Sequence, residues 1–470
     1  MASSSSSAPP PPPPLPPPPT FRIPAWIILG RVARVPPPPE DANAQTRPVT
    51  VVPPPRISTV SVPTNVHPNR APGGADKHPY VIAACESGLL LHMSASPHIG
   101  FNLGGRPPGM LAFLFAGARP GEPVFYSVCG RGYGQLRLYS LKSVGLLPMP
   151  GGQFVVAELV LNGCASLLTN HSSSDEWTET ADLVCPLISE NGTGRWVPHD
   201  VVPHAGHLWW MDLAKGLIFC NPIDYRPALR FVELPEMFEV TQRAEPLENI
   251  DCYRIVREVG GRLRFVDVAC RSSIDTLGDT LVAVWTLTVD TSTGAASWEV
   301  GDRITTTLAR IWEDDSYRRT GMPEAVPEIA LMHPARPDVV YFFLFTYFFS
   351  VDVRRSVVLE FSPDSYGDLV QPVYANPRPP VNWRYVLPWV LRPSLLNAQG
   401  DGHNSSGGHQ SSVPSSASEL LRMMTESNEH DSSGGRQSPV PSSSTPETEG
   451  DGDDSSGGHQ SSVPPSSAPT

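Results

Sequence analysis

Gly206-His-Leu-Trp-Trp-Met-Asp212-Leu-Ala-Lys-Gly216-Leu-Ile-Phe-Cys-Asn-Pro222 holds two short apolar runs separated by Ala214-Lys215-Gly216. Apolar runs of this length, bounded by glycine, are the signature of strands, so the stretch is predicted to be a hairpin turning at those three residues. Successive strand residues point to opposite faces, so Trp209 and Trp210 cannot share one and at least one of them belongs to a core. Ligand stacking by one of the pair is the alternative.

Working outward, the same form recurs. Gly134-Gln-Leu-Arg-Leu-Tyr-Ser140, Gly206-His-Leu-Trp-Trp-Met-Asp212 and Gly261-Arg-Leu-Arg-Phe-Val-Asp267 share Gly-x-Leu-x-apolar-x-Asp/Ser, at intervals of 72 and 55 residues. Those intervals are irregular, but they bracket or exceed the length of a four-stranded propeller blade. The glycine permits a tight turn, and the terminal Asp is placed to accept a hydrogen bond from the next turn's backbone.

Further strands are predicted between and around these units. Residues 21–35 are expected to form a strand pair turning at Gly30, followed by a half-buried strand at Ile57–Val62 and two strands in Tyr80–Met93 turning at 86–88. Others fall at Gln153–Leu161, Ala181–Ile188, Leu217–Cys220, Leu229–Val232, Cys252–Val256 and Leu281–Leu287. Asp290-Thr-Ser-Thr-Gly294 between Trp285 and Trp298 is a hairpin signal. Helical periodicity is scarce in this middle part; at most Arg303–Asp314 makes a short helix. Val339–Val351 is the most apolar stretch, yet it is too short for a spanning helix and is bounded by Asp338 and Asp352. It is expected to form two buried strands turning near Phe345–Tyr347.

Both ends differ from the middle. Residues 1–20 are a serine run and a polyproline tract, a spacer or a ligand for an aromatic groove. Residues 394–470 carry repeats of Ser-Ser-Gly-Gly-His/Arg-Gln-Ser starting at Ser405, Ser432 and Ser455, with a short helix signal at 418–428 that a partner would have to order. Neither end has the apolar content to offset ordering entropy, so both are expected to be disordered. The 470 residues carry a formal charge of −13, of which about −8 belongs to the tail, with ten acidic residues against two arginines. The remainder is mildly acidic and lacks the basic stripe of a nucleic-acid binder.

Candidate chemistry is sparse. Lysine occurs only at Lys77, Lys142 and Lys215, and arginine does not supply a neutral amine. Cys85, Cys129, Cys164, Cys185, Cys220, Cys252 and Cys270 form no C-x-x-C pair; they suit a reducing compartment, most of them as small buried hydrophobes. No secretory leader is recognisable, so Asn170, Asn191 and Asn404 are not expected to be glycosylated. His199-Asp200-x3-His204-x2-His207 has a zinc-like spacing, but it spans Pro203 and Gly206 and is read as loop histidines ahead of a strand. Gly130-Arg-Gly-Tyr-Gly134 lacks a following helix and is read as a hairpin turn rather than a phosphate cradle. Glu313-Asp314-Asp315 is placed in a solvated loop. No nucleophile elbow or His-Glu-x-x-His occurs.

The run 208–222, with Leu-Arg-Phe-Val-Glu-Leu-Pro at 229–235, Gly-Gly-Arg-Leu-Arg-Phe-Val-Asp at 260–267, Val-Ala-Val-Trp-Thr-Leu at 282–287 and Ile-Ala-Leu-Met-His-Pro-Ala-Arg-Pro-Asp-Val-Val-Tyr-Phe-Phe-Leu at 329–344, resembles the plant family called domain of unknown function 1618. Trp-Ile-Ile-Leu-Gly at 26–30 and Pro-Tyr-Val-Ile-Ala at 79–83 extend the resemblance to about residues 21–393. The family is expanded in grasses, and the resemblance implies no established activity and no catalytic residues. The strand pattern is also similar to that of plant F-box-associated propeller domains, although residues 1–25 leave no room for the helical F-box.

These observations predict an all-β, propeller-like single large domain over 21–393 between disordered segments 1–20 and 394–470. Function is expected to be that of a non-enzymatic protein-interaction module. It would be a monomer with a protein partner of unknown identity, without nucleic acid, membrane, metal or cofactor, in the cytoplasm or nucleus. A substrate-receptor-like subunit of a ubiquitin ligase and an enzyme with a dispersed, loop-built site are the alternatives.

Overall fold

The Gly206–Pro222 stretch folds as two antiparallel strands, His207–Asp212 and Gly216–Cys220, paired from Leu208↔Cys220 to Asp212↔Gly216. Asp212 closes the turn between them, its Oδ1 accepting from the Ala214 N–H at 3.0 Å. On the other side, Asp200–His204 pairs with His207–Asp212 across Ala205-Gly206. Both turn residues have positive φ, +49° and +74°, as the twist-matched two-residue hairpin requires. Arg230–Glu233 completes a four-stranded meander on the outer side.

In the computed structural model, which describes residues 24–34, 49–62, 79–86, 88–92, 111–115, 125–127, 138–174, 176–189, 192–193, 196–235, 250–269, 277–290, 295–299, 301–363 and 386–391, this meander is one of five in succession. They span residues 80–127, 144–183, 200–233, 254–307 and 328–362; the fourth carries an added strand, Ile304–Thr307, beside Leu281–Val289. A sixth sheet is composite, with Val386–Val390 innermost, then Trp26–Gly30, Ile57–Val60 and Val49–Thr50. The innermost strands of all six sheets touch in sequence around an axis, and Val386–Val390 touches both Tyr80–Cys85 and Glu328–Met332. The arrangement is that of a β-propeller. Every described residue lies in the unit Met1–Ser412. Segments 1–20 and 394–470, the Gly130–Gly134 run, the helix signal at 418–428, and Lys77, Cys129, Cys270, Asn191 and Asn404 lie outside the described residues.

Radial packing explains why strands here lack a polar face. Leu208, Trp210 and Ile218 pack on Val155, Ala157 and Leu167 of the preceding blade. Trp209, Met211, Leu217 and Phe219 pack on Val256, Leu263, Phe265 and Trp285 of the following one. Both tryptophans are core residues: Trp209 stacks on Phe219 with centroids 3.9 Å apart, and Trp210 donates from Nε1 to the Ser143 carbonyl at 2.8 Å. At Gly145 the second blade comes so close to the third that an added Cβ would lie 2.5 Å from Val201. The 339–351 run behaves alike. Its strands, Val339–Leu344 and Tyr347–Asp352, turn at 345–346 and bury one face against the fourth blade and the other against Ile28 and Val386.

Several expectations need correction. Gly30 is no hairpin turn: Trp26–Gly30 pairs antiparallel with Val386–Val390 and parallel with Ile57–Val60. The chain then continues extended along the first blade, where Val81 N–H donates to Arg31 O at 2.7 Å and Ala33 N–H to Pro79 O at 2.8 Å. Ala181–Ile188 is not one strand; Trp177–Leu183 ends within it. Cys252 belongs to a short helix, Ile250–Tyr253, ahead of the strand Arg254–Val259. In 303–314 the β-branched Ile304–Thr307 pairs as a strand, and the helix runs only over Leu308–Glu313, capped by Thr307 Oγ1.

The composite sheet meets the fifth blade at an aromatic contact. The rings of Trp26 and His333 lie 4.7 Å apart, and those of Trp26 and Tyr341 5.9 Å. His333 Nδ1 accepts from the Ala335 and Arg336 N–H groups, both at 3.1 Å. Burial, with Arg336 nearby, pushes its pKa down from 6.5 to about 4.

Two outcomes are expected. Trp210→Ala, at a position with 0 % exposure, should cost about 3–5 kcal/mol of stability, measured by urea denaturation; an unchanged midpoint would contradict the core assignment. An unfolded His333 takes its proton near the ordinary value, while the folded one resists until about 4. The unfolded state therefore binds more protons in that window, and stability should fall as pH drops from roughly 6.5 towards 4. His333→Asn, which keeps an acceptor for the turn, should lessen that slope in denaturation curves taken across the window.

Candidate functional site

The six innermost strands all begin at one end of the axis, with Tyr80, Val144, Asp200, Arg254, Glu328 and Val386. Contacts between blades fix this alignment. Lys142, just ahead of the second blade, reaches Asp251, just ahead of the fourth, at 3.4 Å, and Arg254 Nη1 donates to the Leu213 carbonyl at 2.9 Å. At the opposite end Gly260 N–H donates to Pro334 O at 3.2 Å, and Trp389 Nε1 to Cys85 O at 2.9 Å.

Near the entry end four polar side chains from different sheets converge. Asp200 Oδ2 accepts from Arg257 Nη2 of the fourth blade. The same oxygen lies 3.8 Å from Arg31 Nη2. Arg31 stands where the chain leaves the composite sheet, and its Nη1 donates to Tyr80 Oη at 3.0 Å. Arg257 Nη1 donates to the Val256 carbonyl at 2.8 Å. The composite sheet and the third blade are separated by two blades in either direction around the ring, so the Arg31–Asp200 contact spans the axis. Burial is the largest single influence on Arg31 and opposes its charge; Tyr80 and Asp200 together outweigh it and hold the pKa above its ordinary value. At the same end Lys142 pairs with Asp251 and Arg254 with Asp267, the latter at 3.2 Å, and the Glu328 carboxylate stands close enough to Asp251 to feel its charge.

This arrangement positions polar groups and fixes charge. Guanidinium groups stay protonated, so they hold anions or backbone carbonyls rather than move protons. Among the described residues no group of three or more His, Cys, Asp or Glu side chains is arranged to hold a metal ion. The histidine run does not converge. His199 and Asp200 lie at one end of the hairpin, and His204 and His207 face each other at the other. His199 Nδ1 accepts from Leu213 N–H at 3.3 Å, His204 is 3.1 Å from Glu258, and His207 Nδ1 is 2.9 Å from the Ala205 carbonyl. These are not loop histidines: His204 and His207 are strand residues flanking a tight turn.

The other candidates are structural. Glu313 ends one helix and Asp314 caps the next, Asp315–Arg318, rather than lying in a loop; hydrogen bonds from Ser316 hold the Asp314 carboxyl below its ordinary pKa. Asn170 is buried and donates to the Glu176 carbonyl at 3.1 Å. Burial pushes the thiol of Cys220 up to about 12. Arg31 and Arg257 were not singled out by sequence because their partner is remote in the chain. The one available signal is that each sits in an apolar strand run, where an arginine needs a partner.

The entry end also exposes large apolar side chains. Phe345 is 68 % exposed, and Tyr139, Val184 and Leu277 also stand open to solvent at that end. No helix among the described residues is long and apolar enough to cross a membrane.

Similarity to solved structures is slight. Apo AztD from Citrobacter koseri matches at 10 % identity with a TM-score of 0.27, covering 61 % of this chain and 73 % of that one. A putative 6-phosphogluconolactonase from Bacteroides fragilis matches at 10 % identity and TM-score 0.30, over 56 % and 66 % of the two chains. The Cps50 (Swd1) β-propeller domain of Myceliophteria thermophila matches at 11 % identity and TM-score 0.23, over 60 % and 88 %. Similarities of this size carry no argument about chemistry. No curated protein matches the sequence. Residues 210–341, from the second strand of the third blade to the fifth blade, match the family model described as Protein of unknown function (DUF1618).

Proposed function

We propose that the protein is a non-enzymatic interaction module that takes a protein partner at its entry end. The observation that carries this is Phe345. It is the tip of the turn between two almost entirely buried strands, it is 68 % exposed, and its φ is +54°. A bulky side chain in the left-handed region is disfavoured, and glycine or asparagine would fit the turn better. A strained, solvent-facing aromatic on a rigid scaffold suits an anchor for a partner's apolar pocket. Tyr139, Val184 and Leu277 at the same end add apolar area around a charged centre. Scattered cysteines without a C-x-x-C pair suit a reducing compartment, cytoplasm or nucleus, and the module is taken to act as a monomer.

Phe345→Gly separates fold from function. On the full-length chain it should leave thermal stability unchanged or slightly raised, because the turn relaxes, while a partner identified by proximity labelling and confirmed by reciprocal pull-down loses at least ten-fold in affinity. Undiminished binding would remove Phe345 from the interface. Recovery of a ubiquitin-ligase scaffold subunit with the partner would recast the module as a substrate receptor.

A further inference from the structure

We propose that the outermost strand of the second blade, Trp177–Leu183, takes an extended, lysine- or arginine-bearing segment of another protein as an added strand. A sheet edge with unpaired N–H and C=O groups is a template for a further strand unless it is short or covered. The other outer strands meet one of those conditions. Phe125–Ser127, Arg230–Glu233, Ala296–Trp298, Ile304–Thr307 and Val49–Thr50 are two to four residues long. On the longer Val357–Ser362, the Val358 N–H is taken by Ser316 Oγ at 2.8 Å. Trp177–Leu183 has seven residues and pairs on one side only, with Cys164–His171. Thr178, Glu179, Ala181 and Asp182 are exposed, and among the described residues no side chain or helix hydrogen-bonds the open side of this stretch.

The charge on that edge selects the occupant. Residues 164–189 hold no lysine or arginine, whereas Glu176, Glu179 and Asp182 are exposed carboxylates. A second copy presents the same carboxylates, and like charges set opposite one another across strands oppose pairing. The chain's own residues 394–470, with ten acidic residues against two arginines, have the wrong sign. Residues 9–19 are proline at every position but Leu15 and lack the N–H donors of a strand. A basic strand of another protein supplies both main-chain hydrogen bonds and opposite charge. Strand alternation puts Glu179 on the face of Trp177 and Ala181, with Thr178 and Thr180 on the other. The segment that fits carries Lys or Arg at every second position and β-branched residues between them. A bulge, where the register shifts between Ala165 and Leu167 and Asp182 takes a φ of +54°, ends the regular edge, so the added strand spans Trp177–Ala181. This edge and the Phe345 turn belong to different blades, so the two contacts stand independently.

A fluorescently labelled short peptide of alternating lysine and valine should bind the full-length chain one-to-one in anisotropy titrations at constant ionic strength. A peptide of alternating lysine and proline, equal in charge but barred from strand pairing, should bind about ten-fold more weakly. Equal binding of the two marks a diffuse charge attraction and overturns the proposal. Amide hydrogen exchange of the unmodified chain should slow across Trp177–Ala181 when the lysine–valine peptide is added; protection confined to another blade overturns it as well. Glu179→Lys should weaken binding about ten-fold without lowering the melting temperature, because like charges then face each other across the added strand. Phe345→Gly should leave peptide binding unchanged, and a loss there moves the peptide to the entry end and overturns the edge assignment. Dimerisation of the chain through this edge in sedimentation, relieved by Glu179→Lys, gives the edge to a second copy instead. If the Glu179 variant fails to fold, the exchange experiment on the unmodified chain decides.

Discussion

The antiparallel pairing of Trp26–Gly30 with Val386–Val390 is the contact on which the rest of the architecture depends. Five meander sheets packed face to face bury every internal face, but the first and last of such a stack would each present an apolar face to water. The composite sheet covers both at once, placing Ile28 and Val386 against the fifth blade and a cluster of Ile27, Leu29, Leu387 and Trp389 against Val81, Leu89 and Leu91 of the first. The hydrophobic gain of the whole stack is realised only when this sheet is in place.

The same closure creates the polar centre. The strand that ends at Gly30 continues along the first blade instead of turning back, and this carries Arg31 inward to where Tyr80 and Asp200 stand. A buried guanidinium is compatible with the fold because hydrogen-bonding and ion-pairing groups are already aligned there by three separate sheets, so little reorganisation is needed to hold it. The apolar rim and the charged axis thus have different origins: the rim belongs to turns within single blades, whereas the axis exists only through contacts between blades.

Legibility in the sequence followed the range of the interactions. The hairpins at 207–220 and 339–352 could be read directly, because a strand–turn–strand unit is encoded within a few residues and Trp209 and Trp210 had to face opposite ways. The Asp212 turn and the propeller-like class were legible for the same reason. Gly30 was misread because its strand pairs with residues at the far end of the domain, and a local rule takes a glycine between two apolar runs for a turn. Arg303–Asp314 offers at most a short helix, and the three threonines at 305–307 instead pair with the strand edge at Leu281–Val289. The charged quartet was invisible because its members come from residues 31, 80, 200 and 257 and share no local pattern.

The composite sheet also has a bearing on how the chain is made. Val386–Val390 leaves the ribosome after every other described strand, whereas its partner Trp26–Gly30 is among the first to emerge. The intervening blades are local meanders that can form as they appear, but the early strand must wait for a mate several hundred residues downstream. Such long-range pairing is slow and leaves an unpaired edge open to misassociation. During synthesis the nascent protein therefore carries an incomplete ring whose first strands are the part most in need of shielding.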